Sequence, residues 1–280
     1  MKRIKSVVLF YNSKRRKAIS FAAAIERRLK AGGAKVQRVC VNDPSCDLGP
    51  ADAAVAVGGD GTVLYAARHV INKGIPVLGI NAGGLGFLSG MEQKDFMRAA
   101  GSFLSGGFGS VKRSLLSVGV SRGGRTVFGP RAALNDCVIR SQEARAFRLK
   151  ASFGGKFLSD YFGDGLIVST PSGSTAYSLA ASGPIVMPDL EVVLLSPICP
   201  HTLTHRPIAL PAAGELEVEV RGGSYGPKVM ALSVDGQENF VLQPGDVVKV
   251  RRHPRSFVML VPDGFSYFDM LRRKLSWGER

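Results

Sequence analysis

Residues 53–80 read AAVAVGGDGTVLYAARHVINKGIPVLGI, and this stretch decides the fold. Positions 53–57 are apolar without interruption, as a parallel strand buried on both faces must be. Two glycines follow, and residues 63–71 then read as a helix that stops near Asn72-Lys73-Gly74. Residues 76–80 are a second buried strand. Strand, helix and strand on short joints form a βαβ unit, which needs a parallel sheet with helices on its faces. Working outward toward the start of the chain, 4–10 reads as a strand. Residues 18–31 read as a helix ended by Gly32-Gly33, and 34–41 as another strand.

The character changes after about residue 111. Gly-rich turns flank the change, and strands with period-two alternation take over. Leu216-Glu217-Val218-Glu219-Val220 alternates cleanly, as a half-solvated antiparallel strand does. Residues 229–234, 247–250 and 257–261 follow as further strands, with Gln243-Pro244-Gly245-Asp246 as a turn between two of them. Residues 267–274 read as a short closing helix. No repeat of 20–50 residues and no low-complexity linker is visible.

Composition narrows the class. With 45% hydrophobic residues in 280, the chain is globular rather than disordered, of one large or two medium domains. Its glycines lack a collagen period, and four scattered cysteines make no disulfide scaffold. The cysteines read as reduced, mostly buried thiols of a cytoplasmic protein. The longest apolar runs fall far short of the ~20 residues of a membrane span. The apolar run at 7–11 is too short for a signal peptide and ends in the basic cluster 14–17. Lys and Arg exceed Asp and Glu by 37 to 22, a net charge of +15 that attracts anions such as nucleotides, polyphosphate or nucleic acid. The basic clusters at 14–17, 27–30, 251–255 and 272–274 lack interleaved aromatics, so no nucleic-acid platform is expected. Solvated surface accounts for most of them.

Three motifs carry chemistry. Gly58-Gly59-Asp60-Gly61-Thr62 lies at the carboxyl end of a strand and the start of a helix, where open α/β sheets bind ligands. Its glycines let a phosphate approach the backbone. Asp60 would repel a bare phosphate, but it serves if it binds a metal or accepts a proton from an attacking hydroxyl. A plain turn with Asp60 or Thr62 capping the helix fits the same residues. The second motif, residues 79–88 (GINAGGLGFL), also follows a buried strand and is neither a Rossmann fingerprint nor a Walker A loop. Its glycines make a close-approach wall or merely serve turns. The third, residues 163–178, runs from a strand into a turn dense in hydroxyls. It could read a purine edge and ribose hydroxyls, with Tyr177 as a flat face, or be a helix entry capped by Ser and Thr. His201 and His205 stand four apart, but Pro200 and Pro207 bracket them and argue against a helical metal site.

Together these blocks resemble the NAD kinase family. They run in order as residues 58–62, 79–88, Asn135-Asp136, 164–177 continuing to Gly183-Pro184, 200–207 and Asp235-Gly236-Gln237. GGDGT alone is shared with lipid kinases, whereas TPSGSTAY at 170–177 is far more specific. The resemblance implies an α/β domain with a parallel sheet over 1–112 and a β-rich, sandwich-like domain over 113–262. It also implies a helix, 263–280, returning to the first domain, and an active site in the cleft between the two. The implied reaction moves the terminal phosphoryl of ATP, or of polyphosphate, to the 2′-hydroxyl of the adenosine ribose of NAD. Asp60 would be the proton acceptor, and Gly58, Gly59, Gly61 and Thr62 would face the donor phosphates. NAD would be met by Gly61, Phe87, Asn135, Asp136, Asp164, Ser172, Thr175, Ala176, Tyr177 and Gln237. Mg²⁺ would accompany the donor phosphates, with no protein ligand assigned to it. A homodimer or homotetramer in the cytoplasm, with no membrane partner, is implied as well. Two positions depart from the family: Asp136 stands where it carries glutamate, and Ser182 where glycine is common. A lipid kinase acting on diacylglycerol or a sphingoid base is the alternative within the GGDGT motif. A non-catalytic basic nucleotide-binding protein is the third reading.

Overall fold

The computed structural model describes residues 2–41, 46–84, 86–143, 145–202, 204–221, 229–276 and 278. Two positions of the quoted motifs, Leu85 and Leu203, lie outside them. The chain forms two compact units, one of residues up to 112 together with those from 257 onward, the other of residues 113–256.

The first unit runs β1 (Ser6–Tyr11), α1 (Arg16–Ala31), β2 (Lys35–Cys40), β3 (Ala53–Gly58), α2 (Asp60–Val70), a 3₁₀ turn (Ile71–Lys73), β4 (Val77–Asn81), β5 (Met91–Glu92), α3 (Gln93–Ser105) and β6 (Gly109–Arg113). The sheet order is β2-β1-β3-β4, and β1, β2, β3, β4 and β5 pair in parallel. Both faces are covered. Val7, Leu9, Val55 and Val57 pack into one core with Ala18, Ala22, Ile25 and Leu29 of α1 and Phe96, Ala100 and Phe103 of α3. On the other side, Phe10 meets Tyr65 and His69 of α2. Double coverage is why the strands carry no polar alternation.

The second unit carries β7 (Leu116–Arg122), β8 (Arg125–Ala133), β9 (Asp136–Ser141), β10 (Phe147–Phe153), β11 (Lys156–Gly163), β12 (Gly165–Ser169), a 3₁₀ turn (Ser172–Thr175), α4 (Tyr177–Ala180), β13 (Val192–Ile198), β14 (Ile208–Pro211), β15 (Leu216–Arg221), β16 (Met230–Val234), β17 (Glu238–Leu242) and β18 (Val247–Arg252). They form two six-stranded sheets, β11-β10-β15-β18-β7-β8 and β14-β13-β12-β9-β16-β17, antiparallel throughout. Val118, Leu149, Val218 and Val248 of the first sheet share one core with Ile139, Val168, Leu195 and Leu232 of the second, the packing of a sandwich. Leu216, Val218 and Val220 point inward and Glu217 and Glu219 outward, as their alternation predicts.

The chain then returns through β19 (Phe257–Val261) and α5 (Tyr267–Leu275). The sequence reading left 257–262 with the β-rich part. Instead β19 lies between β4 and β6 in the first sheet and pairs in parallel with β4. Its five residues carry Phe257, Met259, Leu260 and Val261 buried, which suits a central strand and not a half-solvated one.

Candidate active site

The register of β1, β3 and β4 aligns Tyr11, Val57 and Ile80 at one end of the first sheet. The segments that leave this end are the motif 58–62, the glycine loop 81–90 and the turn before α1. Asp60 is the first residue of α2, after Gly59 as cap, and neither Asp60 nor Thr62 makes a side-chain cap. The capping alternative is thereby corrected. The Asp60 carboxylate turns toward the glycine loop instead. Phe87 N–H donates to its Oδ2 at 2.8 Å. Leu88 N–H and Ser89 N–H donate to Oδ1 at 3.0 Å each, and Ser89 Oγ donates to the same oxygen at 2.9 Å. Four donors fix the carboxylate in one orientation, and three of them crowd one oxygen. Gly86 makes this possible, since a Cβ there would stand 1.7 Å from Asp60 Oδ1. The first two motifs are thus one structure joined through Asp60. Phe87 lies against Tyr267 of α5, and the Lys274 ammonium stands 5.7 Å from the centre of its ring.

The second unit builds a separate cavity of about 390 Å³. Asn135, Asp136, Ala176 and Tyr177 line it, with Arg140 and Asp235. The turn that carries Asn135 and Asp136 is held by a carboxylate a hundred residues away. Asp235 accepts Leu134 N–H on Oδ2 at 2.8 Å, and Asn135 and Asp136 N–H on Oδ1 at 2.8 and 3.1 Å. Asp235 and Gly236 both have positive φ, 50° and 66°, so the segment is also the turn between β16 and β17. Burial, and then the Asp235 charge, pushes the Asp136 carboxyl up to about 7. Burial raises Asp235 to about 6, against the three amides that favour its ionised form. The three amides favour the ionised form of Asp235, and no such donors offset the burial of Asp136.

Most hydroxyls of the third motif hold the fold and do not cap a helix, because neither Ser172–Thr175 nor α4 has a side-chain cap. Thr170 Oγ1 donates to Leu134 O at 2.6 Å and accepts Gly173 N–H at 3.0 Å. Ser174 Oγ donates to Pro171 O at 2.6 Å and accepts Val186 N–H at 3.0 Å. Ser178 Oγ pairs with Ser196 Oγ at 2.8 Å. At Gly173 a Cβ would stand 2.1 Å from Asn135 O, so this motif and the Asn135 turn pack backbone to backbone. The Ser172 hydroxyl is buried and makes no hydrogen bond among the described residues. Thr175 Oγ1 bonds Ser172 O at 3.2 Å. Ser172, Thr175, Asp164 and Gln237 do not line the cavity.

The histidines are structural. His205 bonds Ser159 and Thr202, and His201 lies edge-on to Phe162. Among the described residues no three His, Cys, Asp or Glu side chains gather as a metal site. No disulfide joins the cysteines among the described residues, but only Cys137 is buried; Cys40 and Cys46 are half-buried and Cys199 is exposed. Val138, Arg140, Ser233, Asp235, Gly236 and Asn239 line the cavity and are not among the site residues expected from the sequence. The only signal for Asp235 was its place in the Asp-Gly-Gln block.

Comparison with known proteins bears on both units. The ATP-NAD kinase N-terminal domain family matches residues 44–108, and the ATP-NAD kinase C-terminal domain family matches 134–261. An NAD kinase of Geobacter metallireducens is 42% identical over 231 residues, 82% of this chain and 80% of the relative. One of Symbiobacterium thermophilum is 39% identical over 280 residues, 96% of this chain and 98% of the relative. Among solved structures, a yeast NADH kinase complexed with NADH superposes with a TM-score of 0.90 at 23% identity, covering 100% of this chain and 89% of the other. An NAD kinase from Archaeoglobus fulgidus in complex with ATP gives 0.79 at 24% identity, covering 97% and 98%. At these identities the structural likeness is one of fold.

Proposed function

This chain belongs to the NAD kinase family, and from that premise we propose that it transfers the terminal phosphoryl of ATP to the 2′-hydroxyl of the adenosine ribose of NAD. A bond forms between the ribose oxygen and the terminal phosphorus. The bridging P–O bond breaks, its electron pair leaves with ADP, and the hydroxyl proton passes to Asp60. The observation that carries this reading is the Asp60 carboxylate, held in one orientation by four donors with only one of them on Oδ2. A base fixed in advance loses no time or entropy in reorientation, and Oδ2 is the oxygen with room for a substrate proton. With both units matching NAD kinase domains, the lipid-kinase alternative has no support.

The residue assignments belong to the same proposal. Asn135, Asp136, Ala176 and Tyr177 take the adenosine side of NAD, which their shared cavity supports. The orphan Ser172 hydroxyl is a further contact, beside Thr175, whose Oγ1 donates to Ser172 O; Asp164 and Gln237 are separate NAD contacts under the same proposal. Gly61 and Phe87 form the wall on the Asp60 side, and Gly58, Gly59, Gly61 and Thr62 face the donor. The divalent cation enters with the donor phosphates, as MgATP, under the same proposal. Polyphosphate is a second donor under this proposal. Cysteines without a disulfide among the described residues fit a reducing compartment such as the cytoplasm, and no described helix is long and apolar enough to cross a membrane. A homo-oligomer belongs to the same proposal, with Phe157 and Val241, about 60% exposed on the separate edge strands β11 and β17, as apolar positions that further copies would cover.

The test is NADP formation from NAD, Mg²⁺ and either donor, read with an NADP-specific dehydrogenase. Asp60→Asn is expected to lower turnover by about 10²–10⁴-fold while leaving NAD binding intact. Turnover equal to the unsubstituted chain would remove Asp60 from the reaction.

A further inference from the structure

The basic cluster 14–17 has no role in the reading so far. Lys14, Arg15, Arg16 and Lys17 form no ion pair among the described residues. The nearest acidic residue on the same helix is Glu26, which is engaged by Lys30 and Arg38. Three of the four cations stand at the start of α1, where the helix's own dipole is already positive, so their mutual repulsion is unrelieved. The turn that presents them is ordered. Asn12 Oδ1 accepts Lys14 N–H at 2.9 Å, and Asn12 O accepts Arg15 N–H at 3.2 Å.

The Arg15 side chain does not extend into solvent alone. A Cβ on Gly83 would stand 3.1 Å from Arg15 Nη1, so the guanidinium rests on the bare backbone of the glycine loop. In the sheet, β3 lies between β1 and β4. A side chain reaching from the end of β1 to the loop after β4 spans two strand spacings, about 9–10 Å. Arg15 thus stands at the end of the sheet from which the Gly58–Asp60 backbone also emerges. A planar fork of donors, uncompensated in charge and laid over a glycine-walled phosphate approach, is the arrangement that holds an oligophosphate chain.

We propose that Arg15, with Lys14 beside it, holds the phosphate chain of the phosphoryl donor. This rests on the reading of Asp60 as the reacting end of the same site. The ligand chemistry is a linear chain of linked phosphates, from a nucleoside triphosphate or from inorganic polyphosphate.

The experiment compares the unsubstituted protein with Arg15→Ala, Lys14→Ala and Arg15→Lys. It measures KM for ATP, KM for NAD, and calorimetric binding of inorganic tripolyphosphate. For Arg15→Ala the donor KM is expected to rise about tenfold or more, as loss of a charge-assisted pair implies. NAD KM is expected to stay within about twofold, because Arg15 is an exposed side chain of the first unit only. Arg15→Lys should recover part of the loss, and tripolyphosphate should bind more weakly to both alanine variants. An unchanged donor KM, or equal rises for donor and NAD, overturns the proposal. So does a loss confined to ATP while tripolyphosphate binds as before. The two readings fail separately. If the unsubstituted protein makes no NADP yet binds tripolyphosphate through Arg15, the reaction is wrong and the phosphate site stands. If NADP forms normally in Arg15→Ala, the site is wrong and the reaction stands.

Discussion

At Gly86 one methyl group decides the state of the Asp60 carboxylate. It would overlap Asp60 Oδ1 and crowd Ser89 Oγ, so Asp60 would have to leave its four donors. Gly86→Ala is expected to lower turnover about 10²-fold or more, with thermal stability little changed, as a displaced reacting group does. Steady-state kinetics beside a melting curve would check both halves. Asp136 gives a second prediction at this scale. Its folded carboxyl is raised to about 7 and that of Asp235 to about 6, above the ordinary aspartate value of about 4. Between about pH 4 and 7 the folded chain binds protons that the unfolded chain has lost. Stability is therefore greatest at the acidic end of that range and falls as pH rises through 6 and 7, by a few kcal/mol at most. Urea midpoints between pH 5 and 8 should fall for the unsubstituted protein and fall less for Asp136→Asn, where Asp235 still titrates. Ser182 adds a smaller effect. It holds φ of 61°, and Ser182→Gly is expected to raise stability by about 0.5–1 kcal/mol in denaturant titration.

Among elements, β7 and β18 are tied by one buried charge. Asp246 is fully buried and accepts Arg122 Nε and Nη2 at 2.7 and 2.9 Å and Gln243 N–H at 2.8 Å. Burial alone would raise its carboxyl, but the Arg122 pair and the Gln243 amide overcome this and hold it below the usual range. Its stabilisation is thus present above the ordinary aspartate range and lost on acidification, the opposite sign to Asp136. Arg122→Ala leaves the carboxylate with only the Gln243 amide, and is expected to lower the urea midpoint at pH 7 and to weaken its acid dependence. The elements themselves were largely legible in the sequence. Residues 53–80 hold a strand, a turn, a helix and a strand in one local window, each with its own signal. What links the elements was not legible. Asp60 meets amides 27 to 29 residues on, and Asp235 meets amides 99 to 101 residues back. Local periodicity carries no trace of such pairs. The hydroxyls of 170–178 suggested helix caps because composition cannot tell a cap from a bond to a distant carbonyl. Arg15 read as solvated surface because only the strand order brings it over Gly83.

For the whole molecule, the excess of 37 basic over 22 acidic residues sets a field that gathers anions before any contact forms. Donor KM is expected to rise steadily between low and moderate salt, with kcat nearly constant, when assayed across about 20–300 mM monovalent salt at fixed Mg²⁺. The order of the first sheet has a consequence in time. Its strand β19 is made last but belongs between β4 and β6, which are made early. On the ribosome, about 145 residues separate Lys112 from Phe257, and at roughly 5–20 residues per second this is a wait of about 7–30 s. Throughout it the nascent first unit carries an unfilled slot in its sheet, with the Val77 end of β4 and the edge of β6 unpaired. A chain stalled at residue 250 should be cut readily by protease across residues 77–113, and one released at full length should resist. The part synthesised first is thus the part completed last, and until then its open edges are for chaperones to guard.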